Sequence, residues 1–293
     1  GSAYALMTFL TSVFLGLSMG AGALFSIYLG KDDRDSLKTA VAHAFALIMA
    51  VTIIINIIVY IFIDSILVFL QVPNELYDSM REYLVIIFAG LAATSLYNFF
   101  ACLLRAVGNS VTPIWFLGIS ALTNIALDLL FVLVFNIGIA GAAAATIIAQ
   151  YFSGIGILIY ALLKRCDFMP QKQHLEYNKK ILGEILSLSV LTCAQQSAMN
   201  FGILLIQRLV DSFGAVTMAA FAAAVKIDTF AYLPVQDFGN AFSTFIAQNY
   251  GAGKSERLKE GFRKATVLSS VFSLVISALV FIFGELLMQI FIS

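Results

Sequence analysis

The sequence is short of charge. Lys, Arg, Asp and Glu make up 12% of its 293 residues, whereas a soluble globular chain carries about a quarter. Basic and acidic residues balance at 17 each, so the surplus that draws a protein to nucleic acid is absent. Cysteine is scarce. Cys102 and Cys193 lie in apolar runs and Cys166 in a basic loop. No C-x-x-C spacing links them, so neither a zinc site nor a disulfide framework is implied. There is no H-E-x-x-H and no nucleophile–base pair, and the set of candidate catalytic residues is empty: no enzyme and no organic cofactor are expected. "GAGKSE" (251–256) has the look of a phosphate loop but lacks the G-x-x-x-x-G-K-[ST] spacing. Of the two histidines, His43 reads as interfacial near the end of an apolar run, and His174 reads as solvated in a polar segment. The chain opens on Gly-Ser rather than Met, with no charged leader or cleavage site. A signal peptide is not expected, and the opening fits a cloning scar or, equally, a piece of something longer.

What is abundant is apolar. Hydrophobic residues make up 61% of the chain, the mean hydropathy is +0.95, and apolar runs long enough to cross a bilayer recur throughout. This predicts an all-α, polytopic membrane protein with lipid as its solvent. Eight spans are expected, near 4–30, 39–71, 83–107, 111–136, 139–163, 182–209, 214–248 and 265–292. Pro113 suits the first turn of its helix, behind the candidate caps Asn109 and Ser110. Pro234 falls inside the seventh span, where a kink is expected. Basic residues sort to one side. Lys31, Arg34, Lys38, Arg105, the segment Lys164–Lys180 and the stretch Lys254–Lys264 share one end of the bundle, against Arg81 and Arg208 at the other. The positive-inside rule makes the basic end cytoplasmic. The polar segment 164–180 is then a cytoplasmic linker, and the chain a multi-pass protein of the inner (plasma) membrane.

The sequence also repeats itself. "YLGKDDRDSLKTAVAHA" (28–44) and "NYGAGKSERLKEGFRKA" (249–265) align without gaps at an offset of 221, matching Gly30 with Gly251, Leu37 with Leu258, Lys38 with Lys259 and Ala44 with Ala265. Both copies lie at the basic end, so the repeat is parallel and its axis runs along the membrane normal. At this offset the span 182–209 pairs with a helix before residue 1, and the helices of 83–163 should recur past the end of the chain. The expectation is two six-helix lobes, with the first helix and the last three outside this sequence. Residues 1–165 form an amino-terminal lobe lacking its first helix, 166–181 the linker, and 182–293 the first three helices of a carboxy-terminal lobe.

The polar residues inside the spans are the candidate site. Asp128 is the one ionisable residue between Trp115 and Phe135. A carboxylate at a helix centre costs about 2.5–3.5 kcal/mol to insert, and persists when it is paired, faces a wet cavity or is neutralised. Asn124 and Asp128 are i and i+4 and share a helix face. Asp128 lies about 9.5 positions before the hairpin midpoint near 137–138 and Thr146 about 8.5 after it, so at 1.5 Å per residue their depths agree to about 2 Å. Asn124 and Gln150 match in the same way, and Gln150 is a further candidate for lining a substrate cavity. The small residues Gly141 to Ala145 permit close helix approach. Such a carboxylate can cycle between protonated and charged states, which suits a proton or sodium site; the alternative is a structural hydrogen bond between helices. Gln195, Gln196 and Asn200 form a stripe on the sixth span, and Lys226, Asp228 and Asp237 lie on the seventh. Each set lines a substrate cavity or packs against neighbouring helices. Asp64 and Glu285 read as outer-interface residues, and Arg105 with Gly108 as a helix-end anchor. The 26 Phe and 8 Met would suit an adaptable apolar cavity, although most are expected to face lipid or core.

"YLGKDD", "AQNYGAGKSERLKEG", "LLRAVGNSVTP" (103–113) and "NIALDLLFVLVFNIGIAGAAAATIIAQ" (124–150), in this order and spacing, resemble the multidrug and toxic compound extrusion (MATE) family of secondary transporters. The resemblance covers essentially the whole chain. It implies a two-lobed, twelve-helix fold around a central cavity, of which this chain holds the second to ninth helices. It implies cation-coupled antiport, by proton or sodium, of amphipathic and often cationic compounds, with alternating access and no other cofactor. The partners implied are a small-molecule substrate, the bilayer and the remaining helices. In the family an Asn and an Asp one turn apart on the fifth helix and a Thr on the sixth belong to a cation site, which maps onto Asn124, Asp128 and Thr146. An aspartate on the family's first helix has no counterpart here. Leu191 stands where the family often has Pro ahead of the paired Gln195 and Gln196, which puts the bend of that helix in question. A lipid-linked oligosaccharide flippase of related plan remains an alternative and would want more cations in its cavity, where Lys226 is the clear one. A membrane scaffold or enzyme without a transport cycle is the other alternative.

Overall fold

The computed structural model describes residues 2–69, 77–164, 168–211, 213 and 215–291. Cys166, with Arg165 and Asp167, lies outside the described residues, as do the side chains of Lys226, Arg208 and Glu285. Among the described residues there is no strand. The helices are α1 (Ser2–Gly30), α2 (Arg34–Ile61), α3 (Ile63–Phe69), α4 (Tyr77–Ala89), α5 (Leu91–Ala106), α6 (Val111–Asp128), α7 (Ile139–Leu163), α8 (Lys179–Asp211), α9 (Ala215–Gly251) and α10 (Ser255–Phe291). Joined end to end where only a bend separates them, they form eight rods, as the apolar runs predict. Six stretches among the described residues are long and apolar enough to cross a membrane: Leu6–Gly30, Arg34–Ile61, Tyr77–Ala106, Val111–Val134, Ile139–Leu163 and Ser255–Gly284.

α1 is the central rod and packs on α2, α5, α8 and α9. A second group forms around α7, which packs on α4, α5 and α6, while α10 packs on α9. Phe25, Phe99, Leu37, Ile48, Leu103 and Ile157 are fully buried between these rods. Phe99 meets Phe25, Phe45 and Phe100 edge-on at 6.1, 5.3 and 5.1 Å. The outer faces stay apolar, including Ile53, Ile54, Ile57 and Ile61 on α2 and Phe281 on α10. In lipid those faces need no protein cover, so close backbone approach and hydrogen bonds between helices must hold the rods together. Gly16 and Gly20 of α1 supply that approach: a Cβ at either would collide with the α8 backbone at Cys193 or Ser189. Across the same seam Ser189 donates to the Leu17 carbonyl (3.0 Å) and Thr192 to the Gly16 carbonyl (2.6 Å).

Two rods break where the apolar pattern runs on. The second span stops at Phe62, and α3 then brings Asp64 to Arg81 Nε (2.8 Å) and the Tyr77 hydroxyl (3.1 Å). A carboxylate within an otherwise apolar run thus finds two donors at the end of the bundle. The third span bends at Gly90, between α4 and α5. Carbonyls near such a break need partners in lipid. Tyr60 donates to Val85 O (2.8 Å), Asn56 to Phe88 O (3.0 Å) and Tyr151 to Ala89 O (2.9 Å). Pro234 lies within α9, which is helical on both sides of it.

The linker is more ordered than its polarity suggests. His174 is 4% exposed rather than solvated. Its Nδ1 accepts from the Gln171 amide (3.0 Å), and its Nε2 faces Asp35 Oδ1 at 3.3 Å. His43 on α2 accepts from the Asn178 amide through Nε2 (3.0 Å). A short 3-10 turn, Lys172–Leu175, is thereby strapped against α2 by both histidines of the chain. The composition of the segment hid this, because its two contacts with α2 join residues more than a hundred positions apart.

Candidate functional site

Asn109 starts the site's first helix: its side chain accepts from the Thr112 amide (3.2 Å), and Pro113 sits in the first turn, as the sequence implies. Along α6, Ser120, Asn124 and Asp128 repeat every four residues and stand on one face. α7 meets that face with small residues, and Gly141, Ala143, Ala145 and Ala149 are buried. Ser120 donates to the Ala149 carbonyl at 2.6 Å. Asn124 Nδ2 reaches Thr146 Oγ1 at 3.5 Å, and Thr146 donates to the Ala142 carbonyl at 3.0 Å. Asn124 and Thr146 are therefore brought together across the hairpin.

The register differs by one turn from equal counting out of the midpoint. Asn124 pairs with Thr146 rather than with Gln150, and Ser120 reaches Ala149. One contribution lies between Asp128 and the turn. Leu129–Val134 is a π segment, whose i→i+5 bonds put more residues into each turn. Asp128, the last α residue before it, consequently lies nearer the hairpin than an ideal helix would place it. Gln150 faces a different neighbour, its Oε1 lying against Gly90 at the bend between α4 and α5.

Asp128 Oδ1 and Gln150 Oε1 are both buried with no hydrogen-bond partner among the described residues. A buried acceptor left unsatisfied costs about 1–3 kcal/mol, more when charged. Such an atom calls for a proton, an ion or a water. The oxygens of Asn124 and Thr146 on the same shared face are hard donors suited to sodium, and a proton on Asp128 would equally relieve it. No cluster of three or more His, Cys, Asp or Glu that would hold a transition metal occurs among the described residues.

The other candidates lie apart from this face. On α8, Gln196 is buried, Asn200 half-buried and Gln195 exposed. On α9, Asp228 and Asp237 are exposed. These two helices gather around α1, not around α6 and α7. Sequence reasoning missed Ser120, whose i−4 spacing from Asn124 was the available signal. It also missed the carbonyl-satisfying trio Asn56, Tyr60 and Tyr151, for which the local sequence carries none.

The MatE family model matches residues 1–130 and 192–293. A probable multidrug resistance protein, NorM, from Thermotoga maritima is 26% identical over 287 residues, and another, YpnP, from Bacillus subtilis is 28% identical over 282. The multidrug export protein MepA of Staphylococcus aureus is 23% identical over 285. These alignments take in 96% of this chain but 61–63% of the relatives. A MOP superfamily transporter from Pyrococcus furiosus superposes with a TM-score of 0.92 at 20% identity, over 99% of this chain and 65% of that one. An outward-facing multidrug resistance MATE family transporter gives 0.91 at 19%, again over 99% and 65%. With a fold that is helical throughout the described residues and a family match over most of the sequence, this chain belongs to the MatE family.

Proposed function

We propose that the transporter containing this chain is a cation-coupled antiporter that exports amphipathic organic compounds, and that Asp128 carries the coupling proton or sodium ion. The observation behind this reading is the buried, unpartnered Asp128 Oδ1 at the junction of α6 with its π segment, one turn from the Asn124–Thr146 contact. Asn124 and Thr146 orient or solvate the cation; Asp128 supplies the charge it neutralises. When the cation leaves, the exposed carboxylate favours the arrangement in which water reaches it. Differential binding of the cation to two arrangements of the helices then drives the cycle. The two arrangements are two lobes rocking about a central cleft: residues 1–165 belong to the first and 182–293 to the second, with 166–181 as linker. The basic end faces the cytoplasm of a plasma-membrane protein, and other helices of the transporter complete both lobes.

The test is Asp128→Asn in the whole transporter, scored as export per correctly folded molecule. The variant should insert and fold yet lose gradient-driven export, and a steeper gradient should not restore it. Reduced folded yield with full coupled export in the surviving molecules would make Asp128 a packing residue. Sidedness is read separately. In a background without Cys102, Cys166 and Cys193, a single cysteine at Gln173 should resist an impermeant thiol reagent in intact cells, and ready labelling from outside would reverse the orientation.

A further inference from the structure

A small pocket lies between α1, α5 and α9, away from the Asp128 face. Its volume is ≈ 60 Å³, and since a water needs about 10–15 Å³ by the same measure, it holds a group of a few heavy atoms. Two of its walls are related by the internal repeat. Met19, Gly22 and Ala23 of α1 face it, and so do Asn240, Ser243 and Thr244 of α9; each pair is separated by the offset of 221 that matches Gly30 with Gly251. The pocket therefore sits on the approximate two-fold axis between the halves. The symmetry is geometric and not chemical, for one wall is apolar and the other offers an amide and two hydroxyls.

Arg105 of α5 completes the lining. Its neighbour Ala106 accepts a hydrogen bond from Gln248 of α9 at 2.8 Å, so this end of α5 is seated at the junction of the halves. An arginine at a helix end ordinarily extends to water or pairs with a carboxylate. Arg105 is half-buried, and among the described residues no carboxylate forms an ion pair with it. A guanidinium is a planar fork of donors that matches a carboxylate in two parallel hydrogen bonds. Asn240 and Ser243 add donors on the opposite wall, where the Thr244 hydroxyl is already given to the Asn240 carbonyl at 3.3 Å, and the apolar wall of α1 accepts hydrocarbon.

We propose that this pocket binds the carboxylate of a small amphipathic anion, with Arg105 as its counter-charge, making the cleft between the halves a site for anionic or zwitterionic as well as cationic compounds. The proposal rests on the transporter reading above but not on Asp128 or on cation coupling. Its place on the axis puts the ligand where both halves grip it, so their separation would release it.

Equilibrium binding needs no gradient and tests this separately. The purified whole transporter is titrated by calorimetry with 1-naphthoate and, as a control of similar size, 1-naphthylmethylammonium. Wild type should bind naphthoate. Arg105→Gln, which removes the charge, and Ala23→Leu, which fills the pocket and leaves the charge, should each weaken naphthoate about tenfold or more, as expected for loss of a partly buried charge pair. Arg105→Lys should fall between, because it keeps the charge and loses the fork. Affinity for the ammonium probe should stay within about twofold, a change of under half a kcal/mol. Absence of naphthoate binding in wild type, unchanged affinity in the Gln or Leu variant, or equal loss of both probes would each overturn the proposal. Arg105-dependent naphthoate binding in a protein whose Asp128→Asn variant still exports normally would leave the pocket standing and remove only the coupling reading.

Discussion

Asp33 shows how one side chain sets a boundary. It precedes α2 and accepts a hydrogen bond from the Ser36 amide at 3.0 Å, satisfying one of the unpaired donors of the first turn. The bond to Ser36 holds its carboxyl below the ordinary carboxylate range. A depressed folded value means the stabilisation is present above the unfolded value and fades as pH falls through the folded one. Asp33→Ala should cost about 1 kcal/mol, measured as a lower melting temperature near neutral pH, with the gap to wild type narrowing in acid. Asp128 is the opposite kind of residue, a carboxylate whose Oδ1 is buried with no hydrogen-bond partner among the described residues. Asn124→Ala and Thr146→Ala should weaken coupled export less than Asp128→Asn does, because they remove oxygens beside the cation and leave its charge partner. Relative initial rates per folded transporter rank the three, and a ranking with Thr146 first would move the centre of the site to α7. The polar face of α6 was legible from i, i+4 spacing. Counting from the hairpin levelled Asp128 with Thr146 and Asn124 with Gln150, whereas the contact joins Asn124 to Thr146, and nothing in Leu129–Val134 announces a π segment.

At the scale of elements, α1 and α9 cross with their backbones in close approach at two glycines. A Cβ on Gly30 would strike the Gln248 carbonyl, and a Cβ on Gly251 would strike the Ile27 carbonyl. Ile27 and Gln248 are themselves 221 apart, so each helix of the repeat presents the same glycine to the same position of the other. Tyr28 adds a bond to Glu184 on α8 at 2.6 Å, which closes the basic end. Gly30→Val and Gly251→Val should wedge that end apart. Spin labels at Asp32 and Lys254 should report a separation larger by several ångströms in either variant, and an unchanged distance would mean the crossing absorbs the bulk by sliding. The linker strap makes a second prediction. His43→Phe removes the acceptor of the Asn178 amide and His174→Phe that of the Gln171 amide. Loss of one such bond, worth about 1 kcal/mol, should speed exchange of that amide by roughly fivefold, read by hydrogen–deuterium exchange. Apolar periodicity found the rods but not the breaks at Phe62 and Gly90, since helix interruption there is stabilised by side chains from distant helices. Composition misjudged His174 for the same reason.

The whole molecule is organised by its repeat. Weak identity between 28–44 and 249–265 becomes, in three dimensions, the reciprocal glycine crossing and the two matched walls of the pocket beside it. That much was legible because a parallel duplication preserves offset, and offset survives when side chains diverge. The chemistry of the two walls was not legible, because duplication constrains backbone geometry and leaves side chains free to differ. The chain spans 61–65% of the length of the relatives and solved structures described above. In the proposed cycle, substrate leaves in exchange for a cation held at Asp128. The most direct test reconstitutes the whole transporter in vesicles, imposes an outward substrate gradient and follows the opposing movement of protons with a trapped pH dye or of sodium with a radiotracer. Wild type should drive one of these cations against the substrate flow, and Asp128→Asn should pass substrate down its gradient with no cation movement. Cation counter-movement of normal size in Asp128→Asn, or none of either ion in wild type, would contradict the account.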